Sequence, residues 1–335
     1  MRTLFIGGTR RGYLSLSALL DYCAHVVGII SLEQDPHESD RYEERIRTLA
    51  KTRGIPLYQT RWMKDRDYAE VISQDIKPDI CFVVGCRILI PKSIYALPPL
   101  GCLAIHDSLL PEYRGFAPSN WSIVNGEVQT GVTLFYLSDL MDGGDIVEQR
   151  RIPIGPDDTA PVLYERVCQA TIELLLQVYP LLERGEAPRT KQSYEAGSFT
   201  CSRTPADGWI EWNQATRLIY NQIRALTHPY PGAFTVYQGR RLWIWKAKPV
   251  ENPLRYVGRI PGRVIGVSSA EGYVDVLTGD GVLRILEVQR SGEEKVAAAS
   301  VIKSVRSTLG VRMSDLLERI EQLEGRLSEL TKTQS

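Results

Sequence analysis

Four short runs rich in β-branched and apolar residues recur through the first third of the chain: Thr3 to Gly7, Val26 to Ser31, Asp79 to Gly85 and Cys102 to His106. Between them, Tyr13 to Ala24, Arg41 to Arg53 and Asp67 to Gln74 carry helical spacing with one polar face. Buried strands that alternate with amphipathic helices leave few options, because parallel strands need crossover connections and those helices cover the sheet on both faces. The expected fold is therefore α/β with a parallel sheet. Its strands end along one edge, where the loops of open α/β sheets gather ligands. His106 closes the fourth run and belongs to that edge.

Further strands are expected at Gly131 to Leu137 and Ile146 to Ile152. A long helix follows from about Thr159 to Glu183, with Val162, Leu163, Val167, Leu174, Leu175, Val178 and Leu181 as its apolar positions. From Ser193 to Asp207 the composition turns polar and turn-forming, which reads as a linker with a boundary near residue 200. Beyond it Trp212 and Asn213 lead into a helix to about Leu226, followed by the proline-rich turn HPYPGAF. Short strands follow at Phe234 to Val236, Arg241 to Ala247, Gly262 to Val267, Tyr273 to Leu277 and Gly281 to Val288. Their even spacing fits a small β-barrel. In the last segment Leu316, Ile320, Leu323, Leu327 and Leu330 alternate spacings of four and three, a heptad seam under three heptads long. Such a helix either packs on its own barrel or joins a second copy in a homodimer. The expected domains are 1–200, 201–308 and 309–335.

The 335 residues carry 40 basic and 40 acidic side chains, so the net charge is zero and no broad surface for nucleic acid or anionic membrane is expected. No apolar run reaches the roughly 18 residues of a membrane helix, and the start does not read as a signal peptide, which points to the cytoplasm. Six scattered cysteines without a Cys-x-x-Cys pair are expected as reduced, buried thiols, with neither metal nor disulfide framework. The stretch GGTRRG at Gly7 to Gly12 departs from the dinucleotide fingerprint, which excludes a nicotinamide site.

The stretch Ala104 to Asp145, AIHDSLLPEYRGFAPSNWSIVNGEVQTGVTLFYLSDLMDGGDI, is the most informative for function. It places His106 and Asp142 where one loop system can join them, and a nearby carboxylate favours a protonated imidazole. The stretch closely resembles the signature of the enzymes that move a formyl group from 10-formyltetrahydrofolate to an amine. There Asn-x-His-x-Ser-Leu-Leu-Pro-x-Tyr/Trp-Arg-Gly is followed by Gly-Val-Thr and an Asp-x-Gly-Asp turn. RTPADGWIEW and RALTHPYPGAF match the second domain of this family more loosely, and APSNW with VNGEVQTGVTLFYL looks most like the branch acting on a nucleotide-linked 4-amino-4-deoxysugar such as UDP-4-amino-4-deoxy-arabinose. The branch acting on methionyl-tRNA is the alternative within the family, and a silent sugar-nucleotide-binding homologue is the alternative outside catalysis.

The resemblance implies a Rossmann-like catalytic domain, an OB-like barrel and a terminal helix, with 10-formyltetrahydrofolate as formyl donor. It assigns His106 and Asp142 as the catalytic pair, with Ala104 at the position of the family Asn. Val84, Gly85, Cys86, Arg87, Ile88 and Leu89, with Leu137 and Asp139, match the segments that hold the pterin. Ser108 shapes the turn beside the histidine, and Arg114 falls on the family's loop arginine. Arg203, Arg224, Tyr230 and Phe234 match segments that in relatives face the cleft, although turn packing accounts equally well for the two aromatics. Arg10 and Arg11 either reach a sugar-nucleotide diphosphate or sit in a solvated turn. In such transfers a tetrahedral oxyanion must be stabilised and a proton removed from the amine. Ala104 lacks the amide that helps hold the formyl oxygen, so activity is expected to be reduced; an engineered Asn-to-Ala change and a diverged homologue explain it equally. Asp107 adds a second carboxylate beside His106 or points to solvent.

Overall fold

The computed structural model describes residues 1–33, 41–63, 67–311 and 313–333, with 327–333 by backbone alone. The chain divides into two compact units, Met1–Ser122 with Glu127–Arg203, and Ile123–Gly126 with Thr204–Ser335.

In the first unit, strands β1 (Thr3–Gly7), β2 (Val26–Leu32), β3 (Leu57–Thr60), β4 (Ile80–Val84) and β5 (Cys102–His106) run parallel in the order β3-β2-β1-β4-β5. Every residue of β1, β4 and β5 is buried, the continuous apolar pattern of a sheet covered on both faces. Helices α1 (Thr9–Asp21), α2 (Tyr42–Arg53), α3 (Tyr68–Glu70, continued as a π-helical turn to Ile76) and α4 (Lys92–Tyr95) connect these strands. A two-residue strand β6 (Arg114–Gly115) and the short α5 (Pro118–Val124) follow. The sheet is completed by β7 (Gln129–Tyr136) and β8 (Ile146–Pro153), each antiparallel to its neighbour. The all-parallel expectation holds for five strands only: β7 runs antiparallel to β5 although the short helix α5 lies between them, and β8 returns antiparallel to β7. On α6 (Ala160–Glu183) the expected apolar stripe is buried at Leu163, Val167, Leu174, Leu175 and Val178, while Val162 is exposed.

Two other expectations change. Helix α1 starts at Thr9 and not Tyr13, so the GGTRRG stretch is a strand end and a first helical turn capped by Gly8. The supposed linker is tied to the first unit, since β9 (Phe199–Thr200) pairs with β6. Of the cysteines, Cys81, Cys102 and Cys168 are buried, whereas Cys23 and Cys201 are exposed against expectation.

In the second unit α7 (Thr216–Leu226) precedes an antiparallel sheet of β10 (Ala233–Tyr237), β11 (Arg240–Pro249), β12 (Val264–Ser268), β13 (Tyr273–Leu277), β14 (Val282–Arg290) and β15 (Val296–Ala297). The path is β10-β11-β14-β13-β12, with β15 on β14. Its two edges do not pair with each other but share one bridging segment. Leu309 N donates to Gly262 O at 2.8 Å and Val264 N to Ser307 O at 3.0 Å on the β12 side, while Gly310 N donates to Val236 O of β10 at 2.9 Å. Helix α8 (Ala298–Val301) precedes that segment, and α9 (Met313–Thr333) follows it. Among the described residues no helix is long and apolar enough to cross a membrane.

Candidate active site

Strand β5 lies between β4 and β7, so Ala104 is paired with Val83 on one side and Phe135 on the other. Period-two alternation puts Cys102, Ala104 and His106 on one face. His106, 8% exposed, is the last residue of the strand. Its Nε2 lies 2.7 Å from Tyr113 O. A carbonyl only accepts, so Nε2 carries the proton and Nδ1 of the neutral ring keeps its lone pair. Nδ1 faces Asp142 Oδ2 at 3.6 Å, and the same oxygen accepts from Gly115 N at 2.8 Å. Burial pushes the imidazole below its ordinary range; Asp142 and the Tyr113 carbonyl push up, and Arg11 and Arg114 push down. The expected protonated histidine is thus replaced by a neutral one, because loss of hydration outweighs one carboxylate.

The Asp142 turn joins β7 to β8, with Asp142 itself at φ +48°. Gln192 Nε2 donates to Asp142 O at 2.9 Å and to Gly144 O at 2.6 Å, while its Oε1 accepts from Arg114 Nη2 at 2.9 Å. Arg114 is fully buried. Its guanidinium also donates to Tyr194 O at 2.9 Å and Ser193 O at 3.1 Å and lies 4.7 Å over the Tyr194 ring. This planar fork recruits the carbonyls of the supposed linker, which explains why that polar stretch is ordered against the first unit. It also holds Gly115, whose N–H steadies Asp142. Sequence reasoning missed Gln192: its partners lie 48, 50 and 78 residues away in the chain, and a polar residue in a polar stretch carries no local signal.

The segments matched to the pterin surround the end of β4. Val84 and Gly85 are buried, Cys86 and Ile88 are half-buried, and Arg87 and Leu89 are exposed. Gly85 takes φ +64°, and a Cβ there would meet Thr9 Oγ1 at 2.3 Å and Gly8 O at 2.8 Å. Only glycine allows β4 to turn this close to the start of α1. Cys86, Ile88 and Leu137 pack against a cluster containing Ala104, Leu110 and Phe135. Burial pushes the Cys86 thiol up to about 11. Asp139 is exposed, pairs with Lys92 at 2.5 Å and accepts from the Tyr95 hydroxyl; both partners hold its carboxyl below the usual range. A cavity of about 240 Å³ opens at the ends of β1, β2 and β4, lined by Gly8, Thr9, Trp62, Gly85, Arg87 and Ile88 among others.

The remaining residues are engaged within the protein. Arg10 pairs with Glu165, and Arg11 with Asp107, which accounts for that second carboxylate. Ser108 Oγ donates to Glu112 O at 2.6 Å, closing the turn after β5. Arg203 lies 4.7 Å over the Trp121 ring, whose Nε1 donates to Cys201 O at 2.9 Å. In the second unit Arg224 is buried with Nε 3.0 Å from Asn221 Oδ1. Tyr230 N donates to Thr227 O at 3.1 Å in the proline turn. Phe234 is buried edge-on to Trp209 at 5.8 Å, with Arg241 4.2 Å over its ring. Among the described residues no group of three or more His, Cys, Asp or Glu side chains could hold a metal.

An α/β unit with an imidazole facing a carboxylate at its strand ends, followed by an antiparallel-sheet unit, belongs to a transferase class that sequence comparison makes explicit. Residues 13–179 match the formyl transferase family model, and residues 203–306 match the model of the formyl transferase C-terminal domain. The chain belongs to the formyltransferase family. It is 34% identical to a methionyl-tRNA formyltransferase of Symbiobacterium thermophilum over 94% of this chain and 95% of the relative. It is 33% identical to that of Alkaliphilus oremlandii over 88% and 94%. Among solved structures it resembles WlaRD, a sugar 3N-formyl transferase in the presence of dTDP and 5-N-formyl-THF (TM-score 0.65, 20% identity, covering 88% of this chain and 99% of that one). A Helicobacter canadensis N-formyltransferase complexed with folinic acid and dTDP-3-aminofucose is equally similar (TM-score 0.65, 22% identity, 85% and 98%). HypX of Aquifex aeolicus in complex with tetrahydrofolic acid matches 91% of this chain at TM-score 0.59 and 22% identity, the chain spanning 47% of HypX. These structural likenesses establish the fold.

Proposed function

We propose that this chain transfers a formyl group from 10-formyltetrahydrofolate to the amine of a nucleotide-linked amino sugar, at a rate reduced by Ala104. The observation that carries the reading is His106, held through Nε2 by Tyr113 O at 2.7 Å with Nδ1 turned to Asp142 at 3.6 Å. A neutral imidazole so oriented is a proton acceptor at Nδ1. It takes the proton that an attacking amine must lose, and the Asp142 carboxylate stabilises the imidazolium that results. The same proton would then pass from His106 to the folate nitrogen as its bond to the formyl carbon breaks, so that the amine gains the formyl group and the imidazole returns to its neutral form. Ala104 offers no hydrogen bond to the developing oxyanion, and absence of one such donor costs on the order of 100-fold to 1000-fold in rate.

The bound folate would supply the formyl carbon. The half-buried Cys86, Ile88 and Leu137 fit its apolar ring face, and the turn at Gly85 fits close approach of backbone groups to its edge. Arg87, Leu89 and Asp139 would stand at the outer rim. In this reading 1–200 is the catalytic domain, 201–308 an OB-like barrel and 309–335 a helical appendage. Arg10 and Arg11 would exchange their carboxylates for a diphosphate, and Arg203, stacked on Trp121, would lie toward the nucleotide.

A second reading, formylation of methionyl-tRNA, is favoured by the named activity of the relatives at 33% to 34% identity. Arg240, Arg241 and Arg290 around a 330 Å³ concavity of the second unit add a basic site to its support. Incubation with 10-formyltetrahydrofolate and either UDP- or dTDP-linked amino sugars or methionyl-tRNA, followed by mass spectrometry of the acceptor, separates them. Formylated sugar supports the first reading, formylated methionyl-tRNA the second. Folate binding without product on any acceptor would favour a silent homologue.

A further inference from the structure

The terminal helix α9 exposes what its sequence prepares for burial. Leu316, Ile320 and Leu323 are 47%, 51% and 49% exposed, and Met313, one heptad before Ile320, is 71% exposed. Three apolar side chains of the seam are about half open to water and Met313 is more open still, so the helix's own chain leaves the seam uncovered. The spacing assigns Met313 and Ile320 to position a, and Leu316 and Leu323 to position d; Leu327 and Leu330 continue the pattern in sequence.

We propose that α9 is the dimerisation element of this protein and that its occupant is the same helix of a second copy, parallel and in register. Ile at position a beside Leu at d favours two parallel strands over higher states. Charge decides the direction. Arg319 and Arg326 occupy position g, and Glu324 occupies e. In a parallel dimer each g residue meets the e residue five positions on in its partner, so Arg319 faces Glu324 twice across the seam. In an antiparallel pair g faces g, and Arg319 would meet Arg326 of the second copy. Within its own helix Arg319 reaches the uncharged Gln322 at 3.3 Å. Gly325 falls at the outward f position, where it weakens the lone helix without disturbing the seam. The coil is short, so association is weak and reversible, and pairing stabilises the helix as it forms.

Sedimentation velocity of the full chain over a concentration series provides the test. The expected result is a reversible monomer–dimer equilibrium. Arg319→Glu and Glu324→Arg should each weaken it by about tenfold, since two attractive pairs become repulsive, and the two together should restore it. Leu316→Cys should crosslink copies through residue 316 on mild oxidation, as parallel register brings the two d positions together. Circular dichroism checks that the variants are folded. A monomer at every concentration overturns the proposal. So does a double exchange that fails to restore pairing, or a Leu316→Cys chain that crosslinks no more than the parent.

Discussion

Gly144→Ala tests whether the Asp142 turn must sit where it does. A Cβ at residue 144 would lie 1.7 Å from Tyr136 O and 2.8 Å from Tyr136 C, both backbone atoms at the end of β7. Opening the oxygen contact even to 3.0 Å takes 1.3 Å of movement. Neither partner yields easily, because Tyr136 N is bonded to Asp145 O at 2.9 Å and Gly144 O to Gln192. The turn must therefore shift as a body and carry Asp142 with it. The 3.6 Å approach to His106 Nδ1 would then open towards 5 Å if the motion is outward. Misplacement of about 1 Å at a reacting group costs on the order of 100-fold. Overpacking of this kind also costs about 1–3 kcal/mol, which in a protein of this size lowers Tm by roughly 1–4 °C. Gly143→Ala is the control. Its Cβ would meet Leu140 Cβ at 2.8 Å and Tyr194 Cδ2 at 2.9 Å, a lesser clash with side-chain atoms in place of the 1.7 Å overlap with a sheet carbonyl. Steady-state consumption of formyl-folate, measured for both variants in an Ala104→Asn background, and thermal unfolding of each give the comparison. A Gly144→Ala protein with kcat/KM within about threefold of its parent and an unchanged Tm would refute the argument.

Asp142→Asn keeps an oxygen to accept from Gly115 N but removes the charge that supports the imidazolium, so activity should drop by about 100-fold or more with little change in Tm. Wild-type activity in that variant would sever the carboxylate from the chemistry. His106 resists protonation in the folded chain, while the unfolded chain takes up that proton from about pH 6.5 downward. Stability should fall as pH drops through 6.5 towards the folded value, with no such loss above it, and His106→Gln should flatten this slope in urea titrations between about pH 7.5 and pH 5. Ala104→Asn should raise the formylation rate by at least about tenfold, yet lower stability by about 1–2 kcal/mol, since the new amide enters a site packed by Leu110 and Phe135. Equal rates in the two proteins would mean that another group already holds the oxygen.

The positions of β1, β5 and α6, and of β10 to β14 in the second unit, were legible in the sequence because apolar period and turn residues are local signals, whereas the two-residue β15 was not placed. The edge strand β3 was not, since only one of its four residues is fully buried. Helix α1 was placed four residues late, because glycines beside charged residues do not look like a helix start until β4 packs against them.

His106 and Asp142 were legible as a candidate pair only through the family resemblance of the stretch around them, since a lone His and Asp so far apart in the chain have no local signal that joins them. Their electrostatic state was not. It depends on how much water the fold removes from the imidazole, a sum over β4, β5, β7 and the segment held by Arg114, and burial there outweighs the carboxylate. The same holds for Arg114, Arg10 and Arg11, which sequence presents as free cations and the fold turns to Gln192, Glu165 and Asp107. Residue type and spacing determine which groups are available to a site. Only packing decides which of them keep their charge, their proton and their access, because hydration and the Coulomb field are properties of three-dimensional proximity and not of order along the chain.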